Sequence, residues 1–246
     1  MRTIIDLAPV ASPFGLAVEE VLLQRVGEDE RTTVRVWTGK PCIVVGRSQR
    51  IEDEVDEAGA GSLGLGIARR MSGGGTVIHY PGNLNVSVVL ATREWSRSIV
   101  DTFEWIGAAI ANGLSAAFDV SVVAEGNRLQ IDRAKLGGAA QARRRGAILY
   151  HTTMVVSACP AEYIDVLRAH HEDYNPRGVR SQPAPMTSLS DAAGRPVHPL
   201  DAARAALLGL QTAIGGVQNG EALSDEERRR ATQLLHAKYG HPSWIQ

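Results

Sequence analysis

Three consecutive glycines, Gly73-Gly74-Gly75, stand between two segments that read as β-strands, residues 66–70 and 76–79. The chain has to turn there, so whatever fold it adopts contains a sheet with a glycine-rich connection between strands. Chemistry accompanies the turn. Arg69-Arg70-Met71-Ser72 leads into it, Thr76-Val77-Ile78-His79 leads out of it, and Gly82-Asn83 follows closely. Glycines let successive backbone N–H groups converge on phosphate or carboxylate oxygens, and arginine adds a permanently charged fork. The same composition suits a plain surface turn with solvated arginines. A second motif has to decide between the two.

That motif is Lys135-Leu136-Gly137-Gly138-Ala139-Ala140-Gln141, followed by Arg143-Arg144-Arg145-Gly146 and an apolar run ending in Tyr150-His151-Thr152-Thr153. Small side chains after a lone lysine leave room for a substrate beside an ammonium group that can stabilise charge developing on a carbonyl or phosphoryl oxygen. Arg143, Arg144 and Arg145 read as the solvated tip of a hairpin.

Around these motifs the pattern is mixed. Strands are expected over 2–7, 33–37, 42–46, 66–70, 76–79 and 84–90, and an antiparallel set over 120–123, 128–132, 134–142 and 147–157. Ser12 and Pro13 open a helix that runs to Val26, with Glu19 and Glu20 either on its solvated edge or in a site. An apolar stripe of Ile99, Phe103, Ile106, Ile110, Leu114 and Phe118 marks a second helix over 98–118. A short helix is expected over 161–170, and two more over 200–214 and 224–239, the last opened by a Ser224–Glu227 capping box. Residues 58–66 and 175–185 read as loops. Asn83 and Asn85 read as organisers of turns. His170-His171 with Glu172 and Asp173 is no metal site by this reading, because adjacent residues point in different directions.

The 246 residues carry 26 basic and 27 acidic side chains and only two cysteines, Cys42 and Cys159. There is no positive excess to follow a nucleic acid backbone, no apolar run near the ~20 residues of a membrane helix, and no disulfide framework. The expectation is a soluble, cytoplasmic enzyme of one domain.

Together the two motifs and their spacing resemble the lipoate-protein ligase family, within the larger group of biotin and lipoate protein ligases and octanoyl or lipoyl transferases. The similarity begins at Asp6 and Pro13-Phe14-Gly15-Leu16-Ala17-Val18-Glu19-Glu20 and continues through Val44-Val45-Gly46-Arg47-Ser48-Gln49, residues 69–87 and residues 127–156. It ends with Lys238-Tyr239-Gly240-His241-Pro242-Ser243-Trp244. The resemblance implies an α+β fold, a mixed and largely antiparallel sheet flanked by helices, in one catalytic domain over 1–246 without a C-terminal accessory domain. It implies ATP with Mg²⁺ held by phosphate and water, lipoate or octanoate as the acid, and a lipoyl-domain protein as acceptor. An accessory domain carried on a separate protein is a further implied partner.

In residue terms the resemblance puts Lys135 at the catalytic position, bridging carboxylate and phosphate. Arg70, Gly75, Thr76, Val77 and Ile78, with Lys135, are the implied nucleotide contacts. Arg47, Ser72, Gly73, Gly74, His79, Asn83, Gly137, Gly138 and His151 are the implied substrate contacts, although His79 and His151 also suit structural roles. Two other readings stand beside this one. A thioester-forming transferase needs a placed cysteine, and Arg177 occupies the position where one transferase class carries it. A non-enzymatic binder of lipoyl groups would have had no need to keep Lys135.

Overall fold

The computed structural model describes residues 1–29, 31–93, 97–144, 146–215 and 219–246. Strand β1 (Arg2–Val10) leads into helix α1 (Ser12–Asp29), then β2 (Thr33–Gly39) and β3 (Cys42–Val45). Two short helices, α2 (Ile51–Glu54) and α3 (Glu57–Ser62), precede β4 (Gly66–Arg69), β5 (Val77–His79) and β6 (Asn83–Ala91). Helix α4 (Ile99–Phe118) starts at a Ser98–Asp101 capping box. Strands β7 (Val122–Glu125), β8 (Arg128–Ile131), β9 (Ala134–Arg144) and β10 (Ala147–Val155) follow as an antiparallel meander. The chain closes with α5 (Ala161–Asp165), α6 (Leu189–Ala192), α7 (Pro199–Ile214), β11 (Asn219–Gly220), α8 (Asp225–Leu234) and α9 (Pro242–Ile245).

Eight strands form one sheet in the order β11-β1-β2-β6-β10-β9-β8-β7, and β4-β3-β5 form a second, smaller one. Among the described residues, only the β11–β1 and β1–β2 contacts of the large sheet are parallel. The fold is therefore the mixed, largely antiparallel sheet flanked by helices that the resemblance implied. Alternation along the strands sorts the faces. Val34, Val36, Leu84, Val86, Val88, Ile148 and Tyr150 point into a core with Ile106, Ile110 and Leu114 of α4 and Leu207 and Leu210 of α7. Val89, Ala91, Ala147 and Leu149 point the other way, against Val18, Val21 and Leu22 of α1.

Some local expectations give way to tertiary contacts. Residues 58–66 are not all loop: the glycines there disfavour helix, but Ala60 is fully buried with Val55, Leu65 and Val166, and a helical turn brings it there. The helix expected over 161–170 breaks after Asp165, because Leu167 takes extended backbone and bridges Val55, which buries Val166 and Leu167. Ser12 lies inside α1, and its hydroxyl turns to His79 Nδ1 at 2.9 Å instead of capping the helix.

Candidate active site

Two rows of side chains cross the large sheet on the face that α1 covers. In register, Trp37, Asn85, Thr153 and Gly138 form one row, and Arg35, Ser87, His151 and Ala140 form the next. Directly paired residues present their side chains on the same face. The second row lies under α1. Glu19 accepts from Ser87 Oγ at 2.6 Å and pairs with His151 Nδ1 at 2.8 Å, while Arg35 reaches Gly15 O and the Asp6 carboxylate. The first row borders a cavity of about 590 Å³.

Glu19 and Glu20, for which a solvated edge was one reading, are both buried. Burial raises the Glu19 carboxyl's pKa, but His151, Ser87 and Arg35 together lower it further, so the group is held below the usual carboxylate range. Glu20 accepts from Lys238 and Tyr239. The sequence did carry a signal: Leu16-Ala17-Val18 and Val21-Leu22-Leu23 flank the two acids with apolar residues on every side of the helix, which leaves no exposed stripe.

Lys135 reaches the cavity through a β-bulge. Pairing between β8 and β9 shifts by one residue between Leu129–Gly137 and Gln130–Lys135. Leu136 is the extra residue and enters the core beneath α4. Strict alternation from Gly138 would send Lys135 to that same face; the bulge returns it to the cavity side, the re-aiming that bulges accomplish. Lys135 Nζ then lies 3.2 Å from the point where a Cβ on Gly138 would sit. Burial lowers its pKa, with Arg128 and Arg70 adding to the effect. Among the described residues the ammonium has no carboxylate or hydrogen-bond partner.

The glycine run borders the same cavity. Gly74 takes φ +87°, which suits glycine, and the loop is built around Arg70. That buried guanidinium donates to Ser72 Oγ and to the carbonyls of Val44, Gly73 and Gly75 at 2.7–3.1 Å. Burial pushes its pKa down to about 10, with Glu19 opposing. Most of its N–H groups thus shape the loop and do not face the cavity. Thr76 N–H donates to Ser181 Oγ at 2.9 Å. Ser181 in turn donates to Glu54, which also accepts from Tyr174, so the segment after Tyr174 is tied across the cavity.

Of the residues singled out from the sequence, Arg70, Gly74, Gly75, Thr76, Val77, Ile78, His79, Asn83, Lys135, Gly137, Gly138 and His151 line this cavity. His79 is buried against the edge of Trp37, with ring centroids 5.2 Å apart, and burial pulls its pKa down to about 3. Asn83 donates to Ile78 O and supports the turn after β5. Arg47, Ser72 and Gly73 instead border a separate cavity of about 240 Å³ with Gln141, Arg143 and Arg144. Ser72 Oγ joins the two, since it lies 2.6 Å from His151 Nε2.

The hairpin arginines are not merely a solvated tip. Arg143 donates to Ser98 O and Thr102 Oγ1, and Arg144 lies 3.6 Å from Glu20; Arg145 lies outside the described residues. Trp37, Glu54 and Ser181 also line the main cavity, where the sequence pattern did not put them, and Asn85, read as organising a turn near the pocket, stands in its wall. The alternation of Asn83, Asn85 and Ser87 in β6 was the available signal, but polar alternation ordinarily marks a solvated face.

Neither thiol is shifted toward the thiolate. Cys42 is buried and pushed up to about 12, and Cys159, at the cavity wall, is pushed up to about 11 by burial and by Glu162. Arg177 pairs with Asp53 at 2.9 Å on the surface. No helix among the described residues is long and apolar enough to cross a membrane.

Comparison with known proteins identifies the family and the fold. An octanoyltransferase LipM from Symbiobacterium thermophilum is 26% identical over 98% of this chain and 96% of its own length. The bi-partite lipoate protein ligase of Thermoplasma acidophilum, solved in a study that included its E2 lipoyl domain, superposes with a TM-score of 0.86 at 25% identity, over 99% of this chain and 95% of that one. A lipoate-protein ligase A bound with ATP shares the fold, with a TM-score of 0.84 at 22% identity over 100% and 98% of the two chains. The family described as the lipoyl protein ligase A/B catalytic domain matches residues 12–211. The chain therefore belongs to the lipoyl protein ligase A/B catalytic-domain family, whose members similar to it include lipoate ligases and an octanoyltransferase.

Proposed function

We propose that the chain is an ATP-dependent lipoate-protein ligase of one catalytic domain, taking lipoate or octanoate. The observation that carries this is the desolvated Lys135 ammonium, without a partner among the described residues, in the wall of a cavity that also includes Leu16, Trp37, Val44 and Ile78. Trp37 and Gly138 are three interstrand spacings apart on the same row, about 14 Å. An acyl chain lying toward Trp37 brings its carboxyl group to Lys135.

In the first step a carboxylate oxygen attacks the α-phosphorus of ATP and pyrophosphate leaves. Lys135 stays protonated and bridges the carboxyl and phosphate oxygens, a fixed charge where negative charge concentrates. The glycine loop, shaped by Arg70, presents the backbone from Gly75 to Ile78 to the nucleotide, except for the Thr76 N–H, which Ser181 Oγ already takes. In the second step an acceptor lysine attacks the acyl carbonyl and AMP departs. Glu19, Glu54 and Asp191, the carboxylates lining the cavity, each accept hydrogen bonds from neighbouring side chains. A Mg²⁺ brought by ATP would be held mainly by phosphate oxygens and water and would offset phosphate charge, and no step here depends on protein ligands to it. The cationic cavity of Arg47 and Arg144 suits an acidic surface of the lipoyl-domain acceptor.

The high thiol pKa values and the surface position of Arg177 favour this reading over thioester transfer. The test mixes purified protein with Mg-ATP, lipoate or octanoate and a lipoyl domain, and follows pyrophosphate and acceptor mass. Acid-dependent pyrophosphate with the expected mass gain supports a complete ligase. Modification only from supplied lipoyl-AMP means that a separate accessory protein is needed for activation, as the bi-partite relative suggests. Modification from an octanoyl carrier-protein thioester without ATP replaces the ligase with a transferase.

A further inference from the structure

Asn85 sits at the centre of the sheet, 3% exposed, on a strand buried along its whole length. Its Oδ1 accepts from Thr153 Oγ1 at 2.7 Å, but its Nδ2 is buried with no hydrogen-bond partner. This is unusual, because buried side-chain donors are nearly always satisfied. The contrast with Asn83 is informative. Two residues earlier on the same face, Asn83 gives its amide to Ile78 O, whereas Asn85 has its carbonyl side taken and its donor side open.

Asn85 is one of the residues that line the cavity, so a small turn of its amide brings the unpaired donor to a bound ligand. It stands between Trp37 on one neighbouring strand and Thr153 on the other, and the next position along the row is Gly138, over which Lys135 Nζ is held. An unpaired neutral donor and an unpaired cation are therefore displayed along one row, on either side of Thr153. An acid whose tail lies toward Trp37 carries two oxygens into that interval. Lys135 suits the oxygen that becomes bonded to phosphorus, since that one shares charge with the phosphate. The other oxygen stays on carbon as the acyl carbonyl and needs a donor of its own.

We infer that Asn85 Nδ2 donates a hydrogen bond to that acyl oxygen, in the bound acid and in the adenylate, and to the oxyanion formed during transfer. In that step the acceptor amine nitrogen bonds to the carbonyl carbon and the C=O π pair moves onto the oxygen facing Asn85. Collapse restores C=O and expels AMP with the bridging electron pair, while the amine proton passes to solvent. A donor present before the charge develops is the arrangement that stabilises such an oxyanion. The inference rests on the ligase reading above.

The experiment measures lipoate and ATP affinity by calorimetry, and single-turnover transfer from supplied lipoyl-AMP, for wild type, Asn85→Ala, Asn85→Ser and Asn85→Asp. Thermal melts accompany each variant. Asn85→Ala and Asn85→Ser are expected to weaken lipoate about tenfold with ATP affinity unchanged, and to slow transfer about a hundredfold. Asn85→Asp, similar in shape but acidic, is expected to weaken lipoate further. Thr153→Val, which keeps the amide but frees it to rotate, is expected to give a smaller loss and serves if the Asn85 variants do not fold. Wild-type lipoate affinity and transfer rate in the folded variants would overturn the inference and leave the ligase reading intact. A wild-type protein that binds neither lipoate nor octanoate would overturn both.

Discussion

Lys135 Nζ and Gly138 share a single small space: a Cβ added to Gly138 would stand 3.2 Å from both Cε and Nζ of the lysine. The ammonium rests on bare backbone, and alanine at 138 would press it aside. Gly138→Ala is expected to lower the rate of adenylate formation by about tenfold, as a displacement of one charged donor should, and Lys135→Ala by a hundredfold or more. Lys135→Met should at the same time leave the melting temperature unchanged or raised, because it removes a desolvated charge that has no partner. Pyrophosphate release and calorimetric melts measure the two effects. Unchanged turnover in Lys135→Ala would remove the lysine from the mechanism.

Glu19 ties three elements together by holding Ser87 on β6 and His151 on β10, with Ser72 on the far side of the imidazole. Glu19→Ala leaves two buried polar groups without their partner, and a loss of about 2–4 kcal/mol is expected in urea unfolding. Glu19→Gln, which keeps one acceptor, should cost about half as much. A loss under 0.5 kcal/mol for the alanine variant would mean that water replaces the carboxylate.

His79 gives the fold a pH dependence of predictable sign. Its pKa is about 3 in the folded protein and near 6.5 when exposed, so the unfolded chain binds the extra proton between those values. Stability is complete above pH 6.5 and is lost as pH falls, by about 2 kcal/mol between pH 7 and pH 5. The carboxyl of Glu227, depressed to about 2 despite burial by Arg2 and the Ser224 N–H, adds its own loss only below about 4.5. Urea midpoints from pH 7 to 5 should therefore fall in wild type and stay nearly level in His79→Gln.

Arg47 is exposed at the smaller cavity and outside the larger one. Arg47→Glu is expected to slow acyl transfer to an acidic lipoyl domain about tenfold or more, most of all at low salt, with adenylate formation within twofold of wild type. Equal slowing of both half-reactions would place Arg47 in acid activation.

Much of this molecule was legible in its residues, but unevenly. The stripe from Ile99 to Phe118, the Ser98 and Ser224 caps and the strands around Gly73-Gly74-Gly75 were readable because helix period, capping and glycine turns are local. Glu19, Asn85 and Ser87 were harder. Glu19 was open between a solvated edge and a site, Asn85 read as a turn organiser, and Ser87 carried no reading of its own; only the α1-to-sheet contact and the cavity decide where their side chains go. Arg70 was legible as part of the glycine motif, yet its guanidinium was expected on phosphate and is mostly occupied by carbonyls of its own loop and of Val44 on β3. Residues 58–66 and 161–170 went astray where burial of Ala60, Val166 and Leu167 overrode local propensity.

The sequence by itself determined the longer strands and helices and their order, the glycine turn, the lone lysine before small residues and the family these motifs resemble, since all are written in short-range pattern. Tertiary structure alone decided that Trp37, Asn85, Thr153 and Gly138 stand in one row. Those residues come from four strands brought together by register, and register is settled by the packing of both sheet faces at once. It also decided that the extra residue in β9, Leu136, enters the core and turns Lys135 toward the cavity. A one-residue slip in strand pairing leaves no mark in local sequence, and here it determines which way the ammonium points.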